Sequence, residues 1–175
     1  HAAYFFLCVW KGRGADIIYA QDPFSVGFPA MLAAKLLRKK FVLKIVGDYA
    51  WEIFQGKAGI FVSLDEFERA RYDLFTEIRR FIEKRVARGA QAVITPSTYL
   101  KGIVAGWGVP TENIQVIYNA FEGGAAALTR EDARRTRGLS GHVILSAGRL
   151  VPWKGFAALI DIMPHITRNY PDATL

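Results

Sequence analysis

The chain has 175 residues, of which 51% are hydrophobic and 22% charged, proportions typical of a globular protein with a substantial apolar core. Its formal net charge of +7 favours an anionic partner, which charge alone does not identify as a phosphorylated small molecule, a nucleic acid or a membrane face. The single cysteine, Cys8, excludes an internal disulfide and a cysteine zinc cluster, and it is predicted to be a buried small hydrophobe.

The apolar stretch over residues 2–10 is too short to span a bilayer, which takes roughly 20 residues, and no basic segment of a signal peptide precedes it. We expect it to complete a buried helix, in a chain that begins inside a domain. These features predict a cytoplasmic protein, either soluble or peripheral on the inner face of a membrane.

Strand and helix patterns then alternate along the chain. The predicted elements are strands over residues 16–20, 41–46, 91–95 and 114–118 and helices over residues 26–37 and 97–107. The first strand is expected in the sheet interior, and Met31, Leu32 and Leu36 are expected to point inward from the first of these helices. Short links between alternating strands and helices predict parallel βαβ units, and therefore an α/β fold with a Rossmann-like sheet.

One long amphipathic helix is predicted from residue 64 to Arg88. Ser63 and Glu66 have the spacing of a capping box at its start, and Gly89 offers a stop. Apolar residues recur at steps of three and four, which predicts one buried face. The residues of that face are Leu64, Phe67, Leu74, Phe75, Ile78, Phe81, Ile82 and Val86.

A second domain is predicted to begin near residue 141. Residues 123–140 combine small residues with a charged run that has little to build a core, so they are predicted to be a linker with a short exposed helix over residues 131–137. The first domain is then residues 1–122. Residues 141–175 are expected to form a buried strand over residues 142–147, a helix from Phe156, and the lead into a further strand.

The loop over residues 148–155 joins that predicted strand to that helix. Helix amides and the helix dipole favour an anion at such a position. Arg149 can donate two hydrogen bonds to a phosphate and Lys154 can add a mobile charge, which together suit a diphosphate. On spacing alone, the alternative is that both are solvated charges beside a turn.

A second candidate group, Gly47 to Glu52, follows a predicted parallel strand, where α/β folds bind ligands. Asp48 and Glu52 can accept hydrogen bonds from sugar hydroxyls, and Trp51 or Tyr49 can stack on a sugar ring. The alternative is that Asp48 caps the next segment while Trp51 fills the core. Ser97 is predicted first as a helix N-cap and second as a ligand contact.

Other chemistries find less support in the sequence. None of His1, His142 and His165 has a neighbour at metal-ligand spacing, so no metal is predicted. The sequence has no P-loop lysine motif, no GxGxxG fingerprint and no serine nucleophile elbow. Basic residues cluster at positions 38–40 and 79–88; such clusters are usually solvated, but on a shared face they would attract anionic headgroups. No recognised nucleic-acid motif accompanies them, and nucleic acid is not predicted as a partner.

Three segments, GRLVPWKGF (148–156), KIVGDYAWE (44–52) and VITPSTYL (93–100), resemble glycosyltransferase family 4. The resemblance implies a GT-B arrangement of two Rossmann-like domains, with the acceptor bound in the first and a nucleotide-diphosphate sugar in the second. It implies transfer of the sugar with retention to a saccharide or lipid-linked acceptor, in polysaccharide or glycolipid synthesis, without a cofactor or metal. Gly148, Arg149 and Lys154 would hold the diphosphate.

The resemblance leaves some parts unassigned. Many members carry a histidine where this chain has Gly47, so no catalytic base is assigned. The family's glycine-rich loop would precede His1 and its paired-glutamate segment would follow Leu175, so we expect the chain alone to be inactive. Two alternatives stay open: a non-enzymatic basic module that binds anionic membrane or nucleic acid, and a GT-B nucleotide-sugar epimerase.

Overall fold

The computed structural model of the protein describes residues 2–58, 61–123 and 128–175. The chain divides into two compact units, unit 1 over His1–Asn119 and unit 2 over Ala120–Leu175. The predicted linker falls in unit 2, although its residues 124–127, like His1, lie outside the described residues.

Unit 1 is built on a parallel sheet. In the described residues its strands are β1 (Ile17–Gln21), β2 (Lys40–Lys44), β3 (Ala92–Thr95) and β4 (Ile114–Val116), in that spatial order. Leu43 pairs with Val93, which pairs with Ile114, so three buried side chains form a row across one face. Parallel strands joined through helices confirm the predicted Rossmann-like α/β class.

Helices connect these strands. Those described in unit 1 are α1 (Ala2–Gly12), α2 (Gly27–Leu37), α3 (Tyr49–Ala58), α4 (Leu64–Arg69), α5 (Leu74–Arg88) and α6 (Thr98–Gly106). Helix α2 packs through Ala30, Met31 and Ala34, whereas Leu32 and Leu36, predicted to point inward, are exposed. Because nearly every residue of α2 is apolar, periodicity could not choose its inner face; the small alanines allow the closest packing.

The N-terminal elements are less buried than predicted. Phe5, Cys8 and Val9 of α1 pack against the core, but Phe6 and Trp10 are 68% and 61% exposed. Strand β1, predicted to be interior, lies at the edge of the described sheet and alternates exposed with buried residues. An apolar run without periodicity indicates burial but does not show how many of its sides are covered.

The helix predicted to run unbroken to Arg88 is two helices. The predicted capping box is present, since Ser63 N donates to Glu66 Oε2 at 3.0 Å and Glu66 N donates to Ser63 Oγ at 3.3 Å. Helix α4 ends at Arg69. Asp73 then caps α5, its Oδ1 accepting from the next helix amides. A carboxylate at this position satisfies the first amides of a new helix, which apolar spacing alone could not reveal.

The predicted buried face is wrong for most of α5, although Val86 and, on α4, Phe67 are buried as predicted. The helix instead turns Thr76, Arg80 and Glu83 inward, together with Val86 and Ala87. The exposed residues include Leu74, Phe75, Ile78 and Phe81. The inward polar side chains are held by hydrogen bonds, with Arg80 donating to the carbonyl oxygens of Glu68 and Ala70. These bonds offset the cost of burying polar groups, and hydrophobic spacing cannot anticipate them.

Unit 2 contains α7 (Arg130–Thr136), which is the predicted short exposed helix, and α8 (Phe156–Asn169). The strand predicted over residues 142–147 is not formed. Val143 makes a single parallel bridge with Thr174, supported by a hydrogen bond from Ile144 N to Thr174 O. In the part of the chain that the structure describes, only this segment pairs with residues 142–147, so residues 145–147 stay exposed and no ladder forms.

Gly27 begins α2 directly beneath the loop that follows β1. A Cβ atom at this position would collide with the carbonyl oxygen of Asp22. We predict that Gly27→Ala lowers the free energy of unfolding by about 1–3 kcal/mol, the usual cost of overpacking, as measured by urea unfolding followed by circular dichroism. Gly102→Ala in α6, where an added Cβ meets no atom within 4 Å, should be neutral or raise it by up to about 1 kcal/mol. Equal effects of the two changes would contradict the tight contact at Gly27.

Candidate functional site

The loops after β1, β2 and β3 lie at the carboxyl ends of parallel strands, the edge at which α/β folds bind ligands. Asp22 follows β1, Gly47 to Glu52 follow β2, and Pro96 and Ser97 follow β3. Two adjoining cavities open among these loops in the described residues.

The first cavity, of about 130 Å³, is named the carboxylate pocket. Its lining residues are Asp22, Pro23, Val46, Gly47, Tyr49 and Glu52. Asp22 has a φ of 122°, a strained value for a residue with a side chain, and its carboxylate accepts hydrogen bonds from the amides of Phe24 and Ser25. A Cβ at Gly47 would lie 3.0 Å from Glu52 Oε1, so glycine leaves the space that this carboxylate occupies. Two carboxylates thus line this pocket.

The second cavity, of about 420 Å³, is named the aromatic groove. Its lining residues are Val46, Gly47, Trp51, Phe61, Ser63, Leu64, Pro96, Ser97, Tyr99 and Leu100. Ser97 Oγ accepts from Leu100 N at 3.1 Å, which confirms its predicted role as an N-cap. Both cavities include Val46 and Gly47, so the groove continues the surface of the carboxylate pocket.

Asp48 lines neither cavity and is buried behind the loop, with 2% of its surface exposed. Its Oδ1 accepts from Trp51 N at 2.7 Å, which is the capping role weighed from the sequence. Its Oδ2 has no hydrogen-bond partner among the described residues. Burial raises the pKa of Asp48 to about 7; the hydrogen bond from Trp51 opposes this rise, and the nearby Glu68 carboxylate adds to it.

Glu83, on the inner face of α5, supports the same loop. Its Oε1 accepts from Tyr49 N at 2.8 Å and its Oε2 from Ala50 N at 3.1 Å. With Asp48, it satisfies the first three amides of α3. Burial, and then the charge of Asp48, raise the pKa of Glu83 well above its ordinary value, although the two amide hydrogen bonds act to lower it. Because the two buried carboxyls repel one another when both are ionised, the pair retains a proton near neutral pH.

Glu68 connects this pair to cations. Its carboxylate accepts from Lys84 Nζ at 2.8 Å and from Trp107 Nε1 at 3.2 Å, and Arg80 Nη2 lies 3.7 Å away. Burial acts to raise the pKa of Glu68, but the hydrogen bonds from Lys84 and Trp107 and the charge of Arg80 lower it overall. The sequence analysis did not identify Glu83, Glu68 or Arg80 as residues that support the site. A signal was present for Arg80 and Glu83, because residues 76, 80 and 83 are polar and lie four and three positions apart, which places them on one helix face.

The candidate donor residues lie in unit 2. A single 3₁₀ turn over Pro152–Lys154 is followed by Gly155, whose φ of 73° suits glycine, and then by α8. Arg149 and Lys154 are exposed. A Cβ at Gly148 would lie 3.9 Å from Lys154 Cδ, so the loop folds Lys154 back towards Gly148. The first amides of α8 have no side-chain cap, which suits an anion at this helix end.

Metal ligands and membrane spans were not predicted from the sequence. Over residues 2–58, 61–123 and 128–175, no three His, Cys, Asp or Glu side chains cluster as metal ligands would. None of the helices described there is long and apolar enough to cross a membrane.

His142, in unit 2, pairs through Nδ1 with Asp172 Oδ1 at 2.9 Å.

We predict that the free energy of unfolding falls as the pH rises from about 5 to about 7. A carboxyl with a raised pKa binds its proton more tightly in the folded state, so the stability it contributes is complete below its unfolded pKa and is lost as the pH rises through its folded pKa. Carboxylates with lowered pKa values, such as Glu68, change their contribution below about pH 4.5 and do not mask this trend. Urea unfolding at a series of pH values measures the slope.

Asp48→Asn keeps Oδ1 and imitates the neutral acid, so it should flatten that slope. One titrating group contributes at most about 1.4 kcal/mol per pH unit to the slope of the free energy of unfolding. Asp65→Asn, at an exposed carboxylate of α4, is the matched control and should keep the wild-type slope. A wild-type slope in Asp48→Asn would show that Asp48 does not hold the proton.

Comparison with known proteins adds to this geometry. Three crystal structures of HepE from Anabaena resemble the chain: those in complex with UDP, with UDP and glucose, and with UDP-glucose, with TM-scores of 0.66, 0.71 and 0.69. Each is 20% identical to the chain, a level at which the likeness concerns the fold. The alignments cover 92%, 97% and 92% of this chain but 40%, 41% and 40% of HepE, so the chain spans about two fifths of the length of these proteins.

The sequence comparisons concern mainly unit 1. No curated protein matches the chain. The profile of the glycosyl transferase 4-like domain matches residues 2–120, which carry the parallel sheet, the carboxylate pocket and the aromatic groove. Because this match covers more than half of the residues, the chain belongs to the glycosyl transferase 4-like family.

Proposed function

We propose that this chain is part of an enzyme that transfers a sugar from a nucleotide-diphosphate sugar to an acceptor hydroxyl, with retention at the anomeric carbon. The observation that carries the proposal is the pair of joined cavities at the carboxyl ends of β1 to β3, in a chain of the glycosyl transferase 4-like family. The complexes of HepE with UDP and UDP-glucose support a nucleotide sugar as the donor.

Unit 1 is proposed to bind the acceptor. In the carboxylate pocket, Asp22 and Glu52 accept hydrogen bonds from the hydroxyl groups of the acceptor. Trp51 and Ser97 line the adjoining groove. Asp48 contributes by capping α3 from behind. We propose a saccharide or lipid-linked acceptor, and cytoplasmic polysaccharide or glycolipid synthesis as the setting of the enzyme.

The loop over residues 148–155 is proposed to bind the donor diphosphate. Gly148 admits the phosphates close to the backbone, and Arg149 and Lys154 surround them with positive charge. As the bond to the sugar breaks, negative charge develops on the leaving diphosphate, and these two cations stabilise it. In other folds a bound metal ion has this role.

We predict that Arg149→Ala and Lys154→Ala each lower kcat for nucleotide-sugar turnover by about 10²–10³, the effect of removing one group that stabilises transition-state charge. The measurement is hydrolysis of a panel of nucleotide sugars by the protein as its gene encodes it, because the 175 residues alone are proposed to be inactive. Arg168→Ala, which removes an exposed arginine from the last turn of α8, is the control and should leave turnover unchanged. Wild-type turnover in both loop variants would refute the donor assignment.

The outer face of α5 is proposed as a peripheral contact with an anionic membrane. We define this face as Leu74, Ile78, Phe81, Arg85 and Arg88, all exposed and spaced alternately four and three residues apart. The apolar residues can enter the headgroup boundary, and each arginine adds about 1 kcal/mol near an anionic surface. Arg80 and Lys84, part of the basic cluster in the sequence, pair instead with Glu68.

We predict that Ile78→Ser with Phe81→Ser abolishes sedimentation of the chain with vesicles of phosphatidylglycerol and phosphatidylcholine. Arg85→Ala with Arg88→Ala should weaken it at least tenfold at low salt and less at high salt, because salt screens charge but not apolar insertion. Leu36→Ser removes an exposed leucine from α2 and should have no effect. Equal binding by all variants, or binding to neutral vesicles alone, would contradict this contact.

A further inference from the structure

The side chains that surround the aromatic groove have their polar atoms engaged within the protein. Trp51 Nε1 donates to Val62 O at 2.8 Å, and Tyr99 OH donates to Asp65 Oδ2 at 2.9 Å. Ser63 Oγ donates to Glu66 Oε2 at 2.7 Å. Among the described lining residues, a ligand therefore meets mainly aromatic rings and aliphatic carbon.

These carbon surfaces face solvent. Val46, Phe61 and Tyr99 are 57%, 66% and 53% exposed, and all three line the groove. Apolar side chains gathered around one concave surface gain free energy when an apolar ligand covers them. A volume of about 420 Å³ lies within the range of small-molecule sites.

The carboxylate pocket is also lined largely by carbon, but it adds two carboxylates, and it is continuous with the groove. Asp22 and Glu52 offer charged acceptors on one side of Val46 and Gly47, and Trp51 and Phe61 offer carbon on the other. A ligand with hydroxyl groups at one end and an apolar chain or ring at the other matches both linings.

We propose that the acceptor is amphiphilic, with its hydroxyl-bearing head in the carboxylate pocket and its alkyl or aryl portion in the aromatic groove. This inference rests on the proposed function, because it identifies the acceptor class of the same transferase. The proposal predicts a lipid-like or aryl glycoside acceptor rather than a purely polar oligosaccharide. Phe61 and Trp51 then determine acceptor specificity, without a part in bond breaking.

The test is titration calorimetry of the chain with methyl, hexyl and octyl β-D-glucoside, each below the concentration at which it forms micelles. We expect affinity to rise by up to about fourfold for each methylene that enters the groove. The heat-capacity change of binding should become more negative with chain length, as expected when apolar surface is buried.

Three variants locate the alkyl chain and the sugar head of the ligand. Phe61→Ser should lower octyl glucoside affinity about tenfold and reduce the gain per methylene, while Glu52→Gln should weaken all three glucosides by the same factor. Tyr99→Ala should repeat the effect of Phe61→Ser. Phe61 and Tyr99 are more than half exposed, so neither change removes a core side chain.

Phe6→Ser is the matched control. Phe6 is 68% exposed and lines a separate apolar cavity of about 330 Å³ with Phe5, Phe28 and Leu32. If octyl glucoside binding is lost in Phe6→Ser and kept in Phe61→Ser, the ligand occupies that other cavity and the proposal is wrong. Equal affinity for methyl and octyl glucoside, or no binding of either, also overturns it. Donor hydrolysis in the Arg149 and Lys154 variants is independent of this result, so failure of the acceptor class and failure of the transferase are distinguishable.

Discussion

The hydrogen bonds from the Tyr49 and Ala50 amides to the Glu83 carboxylate are the interaction on which the site in unit 1 depends. The first amides of a helix have no acceptor within that helix, so an external carboxylate determines where α3 begins. Glu83 reaches these amides only if α5 turns its polar side inward. That orientation places Leu74 and Phe81 on the surface and brings Arg80 to Glu68.

The start of α3 in turn decides the chemistry of both cavities. Trp51 and Glu52 are neighbours in its first turns, and neighbouring helix residues point about 100° apart. Trp51 therefore lines the aromatic groove, while Glu52 lines the carboxylate pocket. Gly47 lines both cavities, and a Cβ atom at this position would lie 3.0 Å from Glu52 Oε1. A single anchored helix end thus joins a polar and an apolar surface.

The buried carboxyls behind the loop affect the pH dependence of stability and the residues that line the cavities. A proton retained by the pair of Asp48 and Glu83 avoids two neighbouring negative charges in the interior, but it ties the stability of this region to pH. The same burial leaves Asp48 outside both cavities, whereas Glu52, one turn later and nearer the surface, lines the carboxylate pocket.

Local patterns in the sequence determined the local structure. The strands of unit 1, helices α2 and α6, the capping box at Ser63 and the N-cap at Ser97 follow from apolar runs and cap residues acting within a few positions. The three motif segments likewise indicated the family that the match to residues 2–120 confirmed. Only the tertiary structure decided which face of α5 is buried and how Asp22, Glu52 and Phe61 come to share adjoining cavities. These depend on hydrogen bonds between residues more than 30 positions apart, such as those to Glu83, and no periodicity records such contacts.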